Sequence, residues 1–322
     1  GGRQAWTGTS AGYLSTEVNL PAAANGQSVQ FRWRMASDSS VGATGINIDD
    51  VEFINGYTCG AVATRARGDF DGDGKTDLAV FRPSEGNWYV QGSTNGFSAT
   101  HWGVATDTIA PGDYDGDGKT DFAVFRPDAN PANNDYFVLM SNGNVFRATS
   151  WGLPDDVPVS GDYDADGKTD LAVFRPSTGV WYVLNSSNNS NTVEPFGLTG
   201  DKPLAIDPEG DGKTNLAVYR PSENRWYIAK PTGSPATNFY VYDFGATGDQ
   251  PAPADYDGDS KEDVAVFRPS DGTWYIRKSS DGSVLYTALG QNGDIAVPGD
   301  YDGDGTADVA FYRGGTWSVN GS

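Results

Sequence analysis

The segment GDYDGDGKTDFAVFRP, residues 112–127, sets carboxylates at Asp113, Asp115, Asp117 and Asp121, with Lys119 between the last two. Carboxylates this dense repel one another unless a cation sits among them. A hard divalent cation takes oxygen ligands, and an Asp-x-Asp-x-Asp-Gly turn supplies them from positions 1, 3 and 5 and from the backbone carbonyl at position 7. That carbonyl belongs to Lys119, and Asp121 stands at position 9. Gly118 at position 6 permits the sharp turn that a Cβ would oppose. A helix–loop–helix calcium hand requires a bidentate Glu at position 12, but position 12 here is Val124. It lies in the β-branched and aromatic run FAVF, closed by Pro127. The spacing therefore predicts a calcium loop that leads into a strand. Taken once, the segment could also be only an acidic turn between strands.

It does not occur once. The first loop aspartate recurs at Asp69, Asp113, Asp162, Asp207, Asp255 and Asp300, and internal repeats of this length are the signature of arrayed units. The first loop offers Asp69, Asp71, Asp73, the carbonyl of Lys75, and Asp77. The third offers Asp162, Asp164, Asp166, the carbonyl of Lys168, and Asp170. The fourth departs, with Asp207, Glu209, Asp211, the carbonyl of Lys213, and Asn215, and Pro208 in its middle. It has one carboxylate fewer and is expected to be the weakest site or an empty one. The fifth keeps Asp255, Asp257, Asp259, the carbonyl of Lys261, and Asp263, but has Ser260 where Gly belongs, at a cost in turn strain. The sixth offers Asp300, Asp302, Asp304, the carbonyl of Thr306, and Asp308. Loops one, two, three and six read as complete, and five or six Ca²⁺ ions are expected.

The elements that must position these loops repeat with them. After each loop come an apolar strand, a turn (Pro-Ser in four of the units), and an aromatic strand, as in LAVFRPSEGNWYV. A third apolar stretch ends in THWG, TSWG, EPFG, YDFG or TALG. Asp107, Asp156, Asp201, Asp249 and Asp294 then stand six residues before the next loop and open a Pro-containing lead-in strand. Four short strands in about 45 residues make a propeller blade, and radial repetition hides most sheet edges. The repeats resemble the FG-GAP/VCBS family, the calcium-loop β-propellers that include the head of integrin α subunits. The resemblance covers about 66–322 and implies six blades whose Asp-rich loops each bind Ca²⁺. The fold class expected is all-β, a six-bladed β-propeller of four-stranded blades at 66–322, joined by a linker at 59–65 to a partial jelly-roll segment at 1–58. That segment, ending in INIDDVEF, resembles the last strands of a MAM-like jelly roll.

Charge fits the same reading. The net charge is −21, and 23 of the 43 acidic residues are loop ligands. The acidity is mostly a metal requirement, and it argues against nucleic acid, which needs a basic stripe. No apolar run is long enough to span a bilayer. Cys59 is the sole cysteine, so stability must come from elsewhere, and extracellular calcium levels suit low-affinity sites. An extracellular or cell-surface location follows as the expectation.

Catalysis finds little support. His101 is the only histidine, so neither a Cys-His pair nor a His-rich zinc site can be assembled, and no nucleophile elbow or phosphate loop appears. The Arg row at 82, 126, 175, 220, 268 and 313, beside Trp88, Trp181, Trp226, Trp274 and Trp317, has two readings. It could line glycan pockets, or it could be architecture in which each Arg stacks on, or pairs with, a neighbouring blade's acidic loop. The sixth unit has no aromatic-Gly strand after Trp317 and the first has Ala63 where the others have Asp. Both ends are therefore expected to be completed by another molecule. The expected function is a non-enzymatic adhesion or assembly protein whose partner is a protein or glycan at the cell surface, with self-association into a polymer. The alternatives are a lectin-like propeller or the targeting module of a larger secreted enzyme.

Overall fold

Period-two burial marks the aromatic strands, because successive side chains in a strand point to opposite faces, whereas the apolar strands beside them, such as Leu171–Arg175, are buried on both faces. In the computed structural model, which describes residues 67–130 and 132–321, the first sheet contains β1 (Leu78–Arg82), β2 (Asn87–Gly92) and β3 (Gly96–His101). Along β2, Trp88 and Val90 are buried, while Asn87, Tyr89 and Gln91 face the other way. The second sheet is complete: β4 (Thr108–Ile109), β5 (Phe122–Phe125), β6 (Tyr136–Leu139) and β7 (Phe146–Thr149), antiparallel and in chain order. Six sheets follow one another in this way. Four have four strands, and the first and sixth show three each among the described residues. The fold is an all-β six-bladed propeller. The jelly-roll reading of 1–58, and Cys59, lie outside the described residues.

The aromatic signatures become the blade cores. Trp88, Trp181, Trp226 and Trp274 are all essentially buried, and each packs on the Phe or Tyr of the preceding strand with ring centroids 5.3–5.6 Å apart. Each indole N–H donates to a backbone carbonyl at the end of the outer strand: Trp102, Phe196, Phe244 or Leu289. Aromatic burial dominates the apolar contribution here, and the N–H is satisfied where burial would otherwise penalise it. These tryptophans cannot stack on a sugar. The glycan-pocket reading is corrected for these four, which face the blade interior; Trp317 is half-buried against Tyr301 and Tyr312. In the second blade Tyr136 takes the place of Trp, and its hydroxyl donates to Ala172 of the next blade at 2.7 Å. The glycine that ends each outer strand has a matching cause. At Gly103 (φ +141°) an added Cβ would meet the Phe81 ring at 2.8 Å.

The blades are stitched by one repeated bond. The N–H at loop position 8 donates to the position-1 carbonyl of the preceding blade's loop. The pairs are Thr120 to Asp69, Thr169 to Asp113, Thr214 to Asp162, Glu262 to Asp207 and Ala307 to Asp255. The sixth pair is Thr76 to Asp300, at 2.6 Å. It joins the last blade to the first, so the same bond closes the circle. Behind the bond, Gly112, Gly161 and Gly299 leave room for the next blade's threonine, whose atoms would lie within 3 Å of a Cβ. Where Ala254 replaces this glycine, the facing residue is Ala307, and where Ile206 replaces it, Glu262.

Candidate metal centres

In the second to sixth blades the acidic loop joins the lead-in strand to the second strand, and the first loop likewise runs into β1, so all six lie on one face. Within a loop the position-1 aspartate is the hub. Asp69 accepts the N–H groups of Gly72 and Gly74, Asp113 those of Gly116 and Gly118, and Asp300 those of Gly303 and Gly305. This winding drives positions 4 and 6 into the left-handed region. Glycine holds both in most loops, but Ala165 (φ 62°) occupies position 4 of the third and Ser260 (φ 67°) position 6 of the fifth. Strain at Ser260 agrees with the sequence. That at Ala165 was missed, because only position 6 was judged to need glycine.

Position 9 carries a structural duty as well. Asp121 accepts Tyr114 N–H on one oxygen and Ser141 N–H on the other. Asp77, Asp170 and Asp263 do likewise with Phe70 and Ser93, Tyr163 and Ser186, and Tyr256 and Ser279. The carboxylate thereby ties the loop to the hairpin tip that joins the third strand of the blade to its outer strand. The same tip reaches the loop through side chains. Ser141 and Ser186 hydroxyls donate to Asp117 and Asp166 at position 5, and Ser187 and Ser280 to Asp164 and Asp257 at position 3. These hairpin serines escaped the reading of the sequence, although Ser93, Ser186 and Ser279 all stand sixteen residues after position 9.

The fourth loop shows why. Its counterpart at that offset is Pro231, which has no N–H to offer. A carboxylate at 215 would face nothing there. Asn215 instead donates its Nδ2 to the Ala229 carbonyl at 2.8 Å and to Glu209 Oε2 at 2.9 Å. Asn215→Asp is therefore expected to lower stability by about 1–3 kcal/mol, the cost of a buried polar group without a partner. Adding Pro231→Ser should recover part of that loss. Denaturant melts of the two variants check this: equal midpoints would show that the proline is not the cause.

What the loops can do chemically turns on the oxygens left over. Three carboxylates gather with ligand oxygens within 4.8 Å of one another in five loops: Asp69/Asp71/Asp77, Asp113/Asp115/Asp121, Asp162/Asp164/Asp170, Asp255/Asp257/Asp259 and Asp300/Asp302/Asp304. Among the described residues no such trio forms in the fourth. In loops one to three the gathered set is positions 1, 3 and 9, not the whole predicted quartet. Asp73, Asp117 and Asp166 are turned to the hairpin serines instead. Lys75, Lys119, Lys168 and Lys261 at position 7 send their side chains to the preceding loop; Lys75 Nζ donates to the Asp302 carbonyl at 2.7 Å. At position 3, one oxygen in each of four loops is buried without any partner: Asp71 Oδ1, Asp115 Oδ2, Glu209 Oε1 and Asp257 Oδ1. Native proteins seldom leave such atoms unpaired, and a hard cation coordinated by oxygens satisfies them. The residues present therefore fit a metal ion.

Burial without a cation has an electrostatic cost. It pushes Asp121, Asp170 and Asp263 up to about 6, desolvation outweighing their backbone hydrogen bonds. A carboxyl whose folded pKa lies above its unfolded value favours folding while protonated, and that contribution fades as pH rises through the folded pKa. Chelator-treated protein is accordingly expected to melt higher at pH 5 than at pH 7, and thermal scans across that window check it.

The opposite face carries the arginines. Arg126, Arg175, Arg220, Arg268 and Arg313 each grip, through Nε and Nη2, the aspartate that opens the lead-in strand of the same blade: Asp107, Asp156, Asp201, Asp249 and Asp294. The pairing is therefore within a blade, which corrects the expectation of a neighbour's acidic loop. The guanidinium of Arg175, Arg220 and Arg268 also lies over a tyrosine ring, 4.0–4.3 Å from its centroid. His101 is exposed, and its Nδ1 lies 2.9 Å from Asn87 Oδ1.

Residues 69–124 match the family model of the FG-GAP-like repeat. That match spans the first loop, the three described strands of the first blade and the second loop, and the remaining blades repeat the same geometry. No curated protein matches the chain. Among solved structures, an Agrocybe aegerita lectin specific for non-reducing terminal N-acetylglucosamine is 17% identical, with a TM-score of 0.49 over 79% of this chain and 78% of that one. An auxiliary nutrient binding protein from Bacteroides ovatus is 10% identical, with a TM-score of 0.45 over 73% and 69%.

Proposed function

We propose that this chain is a non-enzymatic, extracellular, calcium-binding propeller that serves adhesion at a cell surface or assembly into an extracellular structure. The observation that carries the metal reading is the unpartnered position-3 oxygen, repeated at Asp71, Asp115, Glu209 and Asp257. Calcium suits an all-oxygen donor set of carboxylates and carbonyls better than the softer metals, which favour imidazole and thiolate. Once bound, it would supply charge neutralisation and fixed loop geometry, and the carboxylates at positions 1 and 3 would hold it. Among the described residues no helix is long and apolar enough to cross a membrane. Native mass spectrometry tests the core of the proposal: five or six calcium ions per chain support it, and none at millimolar calcium ends it.

A second reading, glycan binding, rests on a different set of aromatics from the tryptophan row. Phe97, Phe146 and Tyr286 on the outer strands are 68%, 57% and 64% exposed, and such rings offer an apolar face to a sugar. A glycan array run with calcium present separates the readings. Binding that Tyr286→Ala abolishes favours the lectin, and a blank array together with concentration-dependent sedimentation favours self-assembly.

A further inference from the structure

The inference rests on the calcium reading, in which each loop holds its ion through side chains at positions 1 and 3 and the carbonyl at position 7. We infer that the six sites are coupled in pairs round the ring, so that filling one loop raises the affinity of the loops on either side.

The connection is a single peptide unit. The carbonyl at position 7 and the N–H at position 8 belong to one planar amide. In all six seams that N–H is the donor to the position-1 carbonyl of the preceding loop, at 2.6–2.9 Å. A cation held at the amide oxygen would polarise the whole unit, and linked hydrogen bonds strengthen one another in this way. The acceptor is just as well placed. The carbonyl of Asp300 takes Thr76 N–H, while its carboxylate winds its own loop by accepting Gly303 and Gly305. One rigid plane thus touches the metal-holding parts of two loops.

The position-7 side chain adds a second link in the same direction. Lys75 crosses over Gly303 and donates to the Asp302 carbonyl, and Lys119 and Lys168 lie against Gly72 and Gly116 of the loops before them. One seam is different. Between the fourth and fifth loops the bond is the longest, 2.9 Å, and its donor is Glu262. The Glu262 side chain also accepts Asp207 N–H and pairs with Arg67 at 2.7 Å. The loop on the near side is the one with Asn215 in place of aspartate. Coupling should be poorest at this seam, and the ring should load from the opposite side.

The test is a calcium titration of the full chain followed by native mass spectrometry, which resolves the number of ions on each molecule. Coupling predicts that chains with two or three ions are rarer than a binomial distribution of independent sites allows. A variant with Asp115→Ala, which removes the position-3 carboxylate, empties the second loop. It should weaken the first and third loops by about fivefold or more, the lower end of usual coupling strengths, so that three ions are lost at limiting calcium and not one. A binomial distribution in the wild-type chain overturns the coupling while leaving the calcium reading intact, and it does so whether or not the variant folds. An ion-free wild-type chain overturns the reading beneath it.

Discussion

Removing calcium with a chelator should lower the melting temperature by on the order of 20 °C. A ligand that binds only the folded state stabilises it by mass action, and at ten times its dissociation constant each site contributes about 1.4 kcal/mol. Five carboxylate trios are present, so together the loops supply about 7 kcal/mol at millimolar calcium, if their affinities are those of extracellular modules. For a domain of this size each kcal/mol moves the midpoint by about 2–4 °C. The loss should be larger at pH 7 than at pH 5, because acidification protonates Asp121, Asp170 and Asp263 in the empty loops and relieves their burial. That pH dependence separates site-specific binding from screening of the −21 net charge. Magnesium at the same concentration provides the control for ionic strength, since it resists the dehydration that an all-protein site demands. A melting point unmoved by chelation would mean that the backbone N–H groups that donate to Asp69, Asp113 and their equivalents hold the loops without help.

The repeat made the blades legible. Loop, apolar strand, aromatic strand and glycine-ended outer strand were all visible as a pattern of spacing, because each is dictated by a local rule: left-handed glycine, alternating burial, or proline at a turn. What escaped were contacts between rows that the repeat presents separately. The Arg row and the row of aspartates opening the lead-in strands were both seen, but not joined. Yet Arg126 and Asp107 are nineteen residues apart, and so are all four of the other pairs. The Trp row was open to two readings because a middle strand shows an aromatic at alternate positions whichever face is buried; only the packing of Phe81 on Trp88 decides it. The serines at the hairpin tips were invisible for a simpler reason. A polar turn residue needs no special cause, and their cause lies in the loop sixteen residues earlier. Ring closure was not legible at all, since the bond from Thr76 to Asp300 joins opposite ends of the described chain.

The same protein contains its own control for the value of a buried ion pair. Arg268→Ala should cost about 3 kcal/mol, and Arg82→Ala should leave the melting temperature within experimental scatter. Asp249 has a side chain with no exposure, gripped by Arg268 at 2.9 and 3.0 Å and by the Ala246 N–H at 2.7 Å. Taking the arginine away strands a desolvated carboxylate with one donor, and breaking such a pair from one side is far costlier than the pair is worth. The loss of the guanidinium stacked on Tyr275 adds to it. In the first blade the aspartate position is Ala63, and Arg82 is paired instead with Glu85, both groups facing solvent. Exposed pairs contribute little in water. Asp249→Ala combined with Arg268→Ala then decides the mechanism. If the stranded carboxylate is what destabilises, the double variant will be more stable than Arg268→Ala alone; if lost packing is responsible, it will be no better. Chemical denaturation of the calcium-loaded protein is the right measurement, because the pair lies at the opposite end of the lead-in strand from the loops and the two contributions then separate.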